Sequence, residues 1–442
     1  MKPMILVTAP VTTRSGYGNH ARDICRGLIE LDEYDVKINS VPWGTTPRTA
    51  LESNNEHHTK IKSHIMTTNQ MSRQPDVHIH IVIPPEFTPI AKKNIGFTAG
   101  IETSIAHPKW LEGCNKMDSV IFTSNFARDV HKNTEFDVKE QPGKVLKLTC
   151  DTDVLFEGVD VDVYRKVKTT DEVVIKKLSV IEEDFCYLFV GHWLGGNIGQ
   201  DRKDVGMLLK TFYQSFKNKK NSPALVLKTS AARFSLLDRE NLLKKIRQIK
   251  EEFGKAKLPN VYLLHGDFTD NQMNELYNHD KIKAHISFTH GEGFGRPLLE
   301  AAQSGKPVIA PVYSGQADFL QNYSVPLKGS LVPAPKDAFN PDWFVDNKEN
   351  KWFNVNYLYA SQLMKDIYNN YDKYLTNSSK LRVITSKDFS YEKMKGELKV
   401  IMDNILSTVP KKVELNLPKL NKVSDDKKPK SELKLPKLKR TS

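Results

Sequence analysis

The run Ala284-His285-Ile286-Ser287-Phe288-Thr289-His290-Gly291-Glu292-Gly293-Phe294-Gly295-Arg296-Pro297-Leu298-Leu299-Glu300-Ala301-Ala302, continued by Gly305-Lys306-Pro307-Val308-Ile309-Ala310, reads as strand, glycine-rich turn, helix, turn and strand. Glycines at 291, 293 and 295 permit positive φ and let a ligand approach a backbone without Cβ atoms. Pro297 suits the first turn of a helix. The unpaired amides there, together with the positive end of the helix dipole, favour an anion such as phosphate. Glu292 falls on the loop and Glu300 one turn inside the helix, so two carboxylates can converge on one molecule. Carboxylates accept hydrogen bonds from vicinal hydroxyls, and a pair of them beside a phosphate site suits a nucleotide sugar.

Around this stretch the chain has 442 residues, more than one hydrophobic core usually supports, which predicts two domains. Cys25, Cys114, Cys150 and Cys186 form no C-x-x-C pair, so neither a zinc site nor a disulfide framework is expected, and a reducing cytoplasm is the simplest location. The apolar run in Met1 to Pro10 is too short for a signal peptide, and no 18-residue apolar stretch appears. Peripheral membrane association is the alternative to a purely cytoplasmic protein. The net charge of +12 is uneven: residues 408–442 hold eleven Lys/Arg against four Asp/Glu, +7, which leaves +5 for the rest.

From the start, Ile5-Leu6-Val7 reads as a strand, and Gly16 and Gly18 as a glycine loop ahead of a helix with apolar positions Ala21, Ile24, Cys25, Leu28 and Ile29. A glycine loop after the first strand is the usual phosphate-facing turn of a parallel α/β domain. His78 and His80 have strand spacing; with no third ligand nearby they read as ordinary strand residues. Phe185 to Gly191 and Leu225 to Thr229 read as buried strands, and the β-α repetition over 185–332 predicts a second parallel, doubly wound domain.

The Glu-x7-Glu spacing, followed by a small-residue helix and Gly-x-Pro-Val-Ile-Ala, resembles retaining glycosyltransferases of the GT-B fold, family four, with a viral member among the possibilities. That resemblance implies two Rossmann-like domains facing a cleft. It places the transferred sugar at Glu292, the amides of Gly293, Phe294 and Gly295 on the donor, and the ribose at Glu300. The stretch Gly96 to Thr103, with Pro108, Trp110, Asp118 and Ser124-Asn125-Phe126, resembles a second signature of that family, making Glu102 and Ser124 acceptor-side candidates. The Gly16 and Gly18 turn then faces the cleft as part of the donor site. An Arg and a Lys after the first strand of the second domain clamp the diphosphate in the family. Here they are Arg202 and Lys203, adjacent rather than spaced, with Lys228 as the substitute should the neighbours point apart.

The pairs Asp151/Asp153 and Asp160/Asp162 have the D-x-D spacing of metal-dependent GT-A enzymes, but neither follows a long apolar strand, and no metal or cofactor is expected. The expected organisation is an acceptor-side domain over 1–165, a nucleotide-sugar domain over 166–386, returning helices over 387–407 and a disordered Lys-rich tail over 408–442. In the tail, Val413 to Lys422 recurs as Ser431 to Arg440 with six of ten positions identical, a repeated Leu-Pro-Lys-Leu pattern suited to docking a protein, DNA or an anionic membrane. The expected activity is retaining transfer from a UDP- or GDP-sugar to a glycan or lipid-linked acceptor. A nucleic-acid acceptor, a hydroxymethylated base of a virus, is the second reading. A non-catalytic nucleotide-sugar or partner-binding protein is the third, against which the intact Glu292, Glu300 and Arg202 stand.

Overall fold

The computed structural model describes residues 2–410 apart from 69, 139–140, 196–197, 232–234 and 341. The repeated Leu-Pro-Lys-Leu segments, the expected tail disorder and its docking roles lie outside the described residues. The chain through Val409 makes one compact unit.

Its first sheet is built from β1 (Met4–Ala9), β2 (Asp35–Ser40), β3 (Val77–Ile81), β4 (Lys93–Thr98), β5 (Ser119–Phe122) and β6 (Asp151–Val154). The strands lie in the order β2-β1-β3-β4-β5-β6, all parallel. The second sheet takes β7 (Cys186–His192), β8 (Ala224–Ser230), β9 (Val261–Leu264), β10 (Ile282–Ile286), β11 (Val308–Ala310) and β12 (Val325–Pro326). Its order is β9-β8-β7-β10-β11-β12, again parallel throughout. Central parallel strands covered on both faces must be apolar nearly without interruption, and every residue of β1 and of β8 is buried. In each sheet the strand order reverses beside the first strand, between β1 and β3 and between β7 and β10. Crevices outside the carboxyl ends of strands at such points are where open α/β sheets bind ligands.

Helix α1 (Gly16–Glu30) starts on Ser15, whose side chain accepts from the Gly18 N–H, and buries Ala21, Ile24, Cys25 and Leu28 on the sheet. Gly16 and Gly18 therefore belong to the first helical turn rather than to a loop ahead of it. Gly18 is needed for packing, since a Cβ there would lie 2.3 Å from the Thr13 carbonyl oxygen. His78 and His80 are buried strand residues with structural partners: His78 Nε2 lies 2.9 Å from Thr8 Oγ1, and His80 Nδ1 accepts from the Thr88 N–H at 3.2 Å. Asp160 is taken by Arg26 at 2.6 Å, while Asp151 and Asp153 are exposed on the edge strand β6.

A two-stranded antiparallel ribbon, β13 (Gly329–Pro333) and β14 (Lys351–Val355), leaves the second domain after β12. The chain then returns. Val159 N–H donates to the Phe389 carbonyl and Tyr391 N–H to the Val159 carbonyl, at 2.9 and 2.8 Å, and the last helix (Tyr391–Ser407) lies along α1. There the Arg26 guanidinium sits 4.0 Å from the Tyr391 ring centroid, and the Tyr391 hydroxyl donates to Glu30 at 3.0 Å.

Candidate active site

Three loops at carboxyl ends of strands meet between the sheets: 99–107 after β4, 193–204 after β7 and 287–295 after β10. The second of these ends on Asp204, a buried residue with φ of 51°, which turns the chain into a helix over Val205–Phe216. Arg202 and Lys203 thus lie in an irregular turn, and the divergence expected of neighbours on a helix does not apply. Lys203 Nζ pairs with Glu292 Oε1. Arg202 Nη1 stands 2.8 Å from Glu102 Oε1 and 3.8 Å from Glu292 Oε2. Two adjacent cations and two carboxylates, one from each domain, form one cluster.

Lys203 and Glu292 are the shielded half of the cluster, with side-chain exposures of 12% and 11%, whereas Arg202 and Glu102 are partly open at 28% and 21%. Burial pushes the Glu292 carboxyl up, but Lys203 and Arg202 outweigh it and hold the group below its ordinary value, so it is ionised. Burial draws Lys203 down, opposed chiefly by Glu292. Lys228 has other contacts: its Nζ donates to the Gly266 carbonyl at 2.6 Å and lies 5.0 Å from the Phe268 ring centroid. Burial lowers that amine to about 8.

The glycines of the 287–295 loop have separate tasks. Only Gly295 uses positive φ, 98°, where the helix Arg296–Ala302 begins. Gly291 and Gly293 serve domain contact instead: a Cβ on the first would lie 2.8 Å from Glu102 Cβ, and on the second 2.7 Å from Ala99 Cβ. Close approach of the other domain's backbone, not φ, demands glycine at these two positions. Thr123 Oγ1 donates to the Gly293 carbonyl at 3.2 Å across the same junction. The Phe294 side chain is a core group packed on Phe319.

Glu300 lies in a second buried charge cluster. Arg296 Nε donates to its Oε1 at 2.9 Å, the Tyr277 hydroxyl approaches its Oε2 at 3.5 Å, and Arg296 also pairs with Asp23 of α1. Burial raises the Glu300 carboxyl to about 7, against the pull of Arg296. Ser124 is placed otherwise than expected. It is fully buried, and its Oγ accepts from the Ala127 N–H at 3.2 Å as the cap of the helix Asn125–Asn133. Gly16 is open, with nothing within 4 Å of where a Cβ would stand.

Two residues had no expected role. Ser314, in the left-handed region at φ 60°, accepts the Glu292 N–H on its Oγ at 2.8 Å and so sets the backbone of the loop carboxylate. His290 bonds both to the 193–204 loop and to the ribbon. A Ser-Gly dipeptide after a strand signals a turn, but not which backbone it will brace.

Residues 202–341 match the family model described as Glycosyl transferases group 1. Among solved structures the chain is similar to Anabaena HepE in complex with UDP and glucose, at 14% identity and TM-score 0.58, covering 91% of this chain and 100% of that one. It is similar to a glycosyltransferase from Rickettsia africae at 15% identity and TM-score 0.60, covering 92% and 99%. Sucrose-phosphate synthase from Thermosynechococcus elongatus gives 12% identity, TM-score 0.59 and coverage of 92% and 100%. No curated protein matches the chain. The fold is GT-B.

At these identities the solved structures speak for the fold, and the matched segment adds support for a glycosyltransferase. The segment opens on Arg202 and contains Glu292 and Glu300. Within the GT-B frame, Arg202, Lys203 and Glu292 come from the second domain and Glu102 reaches them from the first.

Proposed function

We propose that the chain is a retaining glycosyltransferase that moves a sugar from a nucleotide sugar, a UDP-sugar before others, to a hydroxyl of a glycan or lipid-linked sugar. The observation that carries this reading is the pairing of Arg202 and Lys203 with Glu292 in the cleft, opposite Glu102, inside the segment that matches the glycosyl transferase family. The UDP preference is supported by the similar folds of Anabaena HepE, determined with UDP-glucose, and of an E. coli trehalose-6-phosphate protein bound with UDP-2-fluoro glucose.

Arg202 offers a planar fork and Lys203 a point charge to the diphosphate, and a site shielded from water magnifies what each contributes as negative charge builds on the leaving oxygen. Glu292, kept ionised, accepts hydrogen bonds from sugar hydroxyls, and Glu300 accepts them from the ribose. The bond from the anomeric carbon to phosphate breaks, a bond from that carbon to the acceptor oxygen forms on the same face, and the acceptor proton passes to the departing phosphate oxygen. This route asks for no protein base.

The test is release of free nucleotide from UDP-, GDP-, ADP- and CDP-sugars by the wild type, Lys203→Ala and Glu292→Ala, each offered a panel of glycan and lipid-linked acceptors. Turnover of one donor that both substitutions abolish, with the anomeric configuration kept in the product by NMR, is the expected result. Failure of the wild type with every donor, or inversion at the anomeric carbon, refutes the reading.

A further inference from the structure

His290 stands between the loops that carry Arg202, Lys203 and Glu292, and the transfer chemistry gives it no task. It is wholly buried. Its main-chain N–H donates to the Arg202 carbonyl at 3.0 Å, and its own carbonyl accepts from the Phe353 N–H at 3.1 Å. The ring Nδ1 lies 2.7 Å from the Phe353 carbonyl oxygen. A carbonyl only accepts, so Nδ1 carries the proton and Nε2 of the neutral ring is the bare nitrogen. The ring lies flat on Trp352, with 3.8 Å between centroids and 14° between planes. Its Nε2 lies 4.0 Å from Asp204 Oδ2, which accepts from the Tyr357 hydroxyl at 2.7 Å, and the Gly199 main chain of the 193–204 loop is a further neighbour of the ring.

The ribbon closes a circuit. Lys351, one residue before Trp352, donates its N–H to Ser104 Oγ at 2.8 Å, and Ser104 N–H donates to the Lys351 carbonyl at 2.9 Å. Ser104 follows Glu102 by two residues, and Glu102 holds Arg202. Glycine at 291 and 293 removes the side chains that would stiffen the 287–295 loop. A buried imidazole with one protonated nitrogen and a flat face supplies the stiffness, because its bond and its stack fix two different directions.

We propose that His290 is a positioning residue: it joins the 193–204 loop, the glycine-rich loop and strand β14 into one block, which sets Arg202 and Lys203 in register with Glu292 before the donor arrives. The catalytic consequence rests on the glycosyltransferase reading above. The joint itself does not. His290→Phe keeps a ring on Trp352 and deletes the bond to Phe353, whereas His290→Asn returns an amide N–H close to the place of Nδ1.

The Phe variant should lose kcat on the order of 10- to 100-fold with donor KM changed less than about threefold, the signature of misplaced groups rather than lost ground-state binding. The Asn variant, which keeps the bond and loses the stack, should recover part of that loss. Hydrogen exchange of the amides of 199–204 should speed up in the Phe variant and speed up less in the Asn variant. Unchanged exchange over 199–204 in the Phe variant, or an Asn variant no better than Phe in that measurement, overturns the proposal. If the wild type turns over no donor, only the functional reading falls, and the exchange comparison still decides whether His290 holds the joint.

Discussion

An ammonium and a carboxylate withdrawn from water each cost several kcal/mol unless they face a partner, and Lys203 and Glu292 face one another at the cleft. Lys203→Ala takes the nearest cation from Glu292 and leaves it Arg202, 3.8 Å away, and the Thr289 side chain. The expected outcome is a fall in kcat of about 10²- to 10³-fold and a loss of about 3 kcal/mol of stability, read from steady-state kinetics and urea titration. Glu157 carries a second prediction. It is buried, and that burial raises its carboxyl from 4.5 to about 8, with Arg296 opposing and Asp23 reinforcing. Because the folded value lies above the unfolded one, both states hold the proton below 4.5 and the stabilising contribution is complete there. As pH rises towards 8 the unfolded chain gives up its proton first, and that contribution is lost. Glu157→Gln has no proton to lose, so its stability should gain on the wild type by at least ~1.4 kcal/mol between pH 5 and pH 8.5. Parallel curves of Tm against pH for the two proteins refute this.

At the scale of single elements, the glycine-rich turn is a collar packed against the 99–102 segment of the first domain. Gly293→Ala drives a Cβ to 2.7 Å from Ala99 Cβ, and Gly315 is held as closely, its would-be Cβ 2.0 Å from the Gly293 carbonyl oxygen. Overpacking of this kind costs about 1–3 kcal/mol, so Gly293→Ala should lower Tm by several degrees and reduce kcat with it. Gly16 makes the contrast. It lies in the first turn of α1 at ordinary φ and has open space where a Cβ would go. Gly16→Ala should leave Tm unchanged or raise it, by up to ~1 kcal/mol in stability, because alanine has the better helix propensity. A Gly16→Ala variant that folds normally but loses donor affinity would mark that open space as part of the donor site. Thermal melts of the two variants side by side separate a packing glycine from an accessible one.

At the scale of the molecule, the two sheets are held together by contacts from distant parts of the chain. Arg14 pairs with Asp267 at 2.6 Å, Arg202 with Glu102 at 2.8 Å, and Asn125 N–H donates to Asp318 at 2.9 Å. The returning helix fastens itself to the first domain through Tyr391, which is 3% exposed and covered by Arg26. Tyr391→Ala removes a buried ring together with its bond to Glu30, and a loss of about 3–5 kcal/mol is expected. Proteolysis should then open the first domain before the second, since the ring anchors the helix to α1. Equal protection of both domains in the variant contradicts that account.

The run from Ala284 to Ala310 was legible because its signals are local: an apolar strand, clustered glycines, a proline at a helix start and the next apolar strand all act within a few residues through backbone sterics and burial. The same holds for the apolar face of α1. Local reading could not show which groups meet. Lys203 and Glu292 are 89 residues apart, and Thr123 and Gly293 are 170 apart. That Lys203 rather than Lys228 faces Glu292, that Gly291 and Gly293 yield to another domain, that Ser124 spends its hydroxyl on a helix cap and that His290 becomes a joint are outcomes of packing two sheets against each other. Strand and turn formation depends on short-range sterics that each segment carries with it, whereas a cleft exists only where independently formed surfaces come into contact.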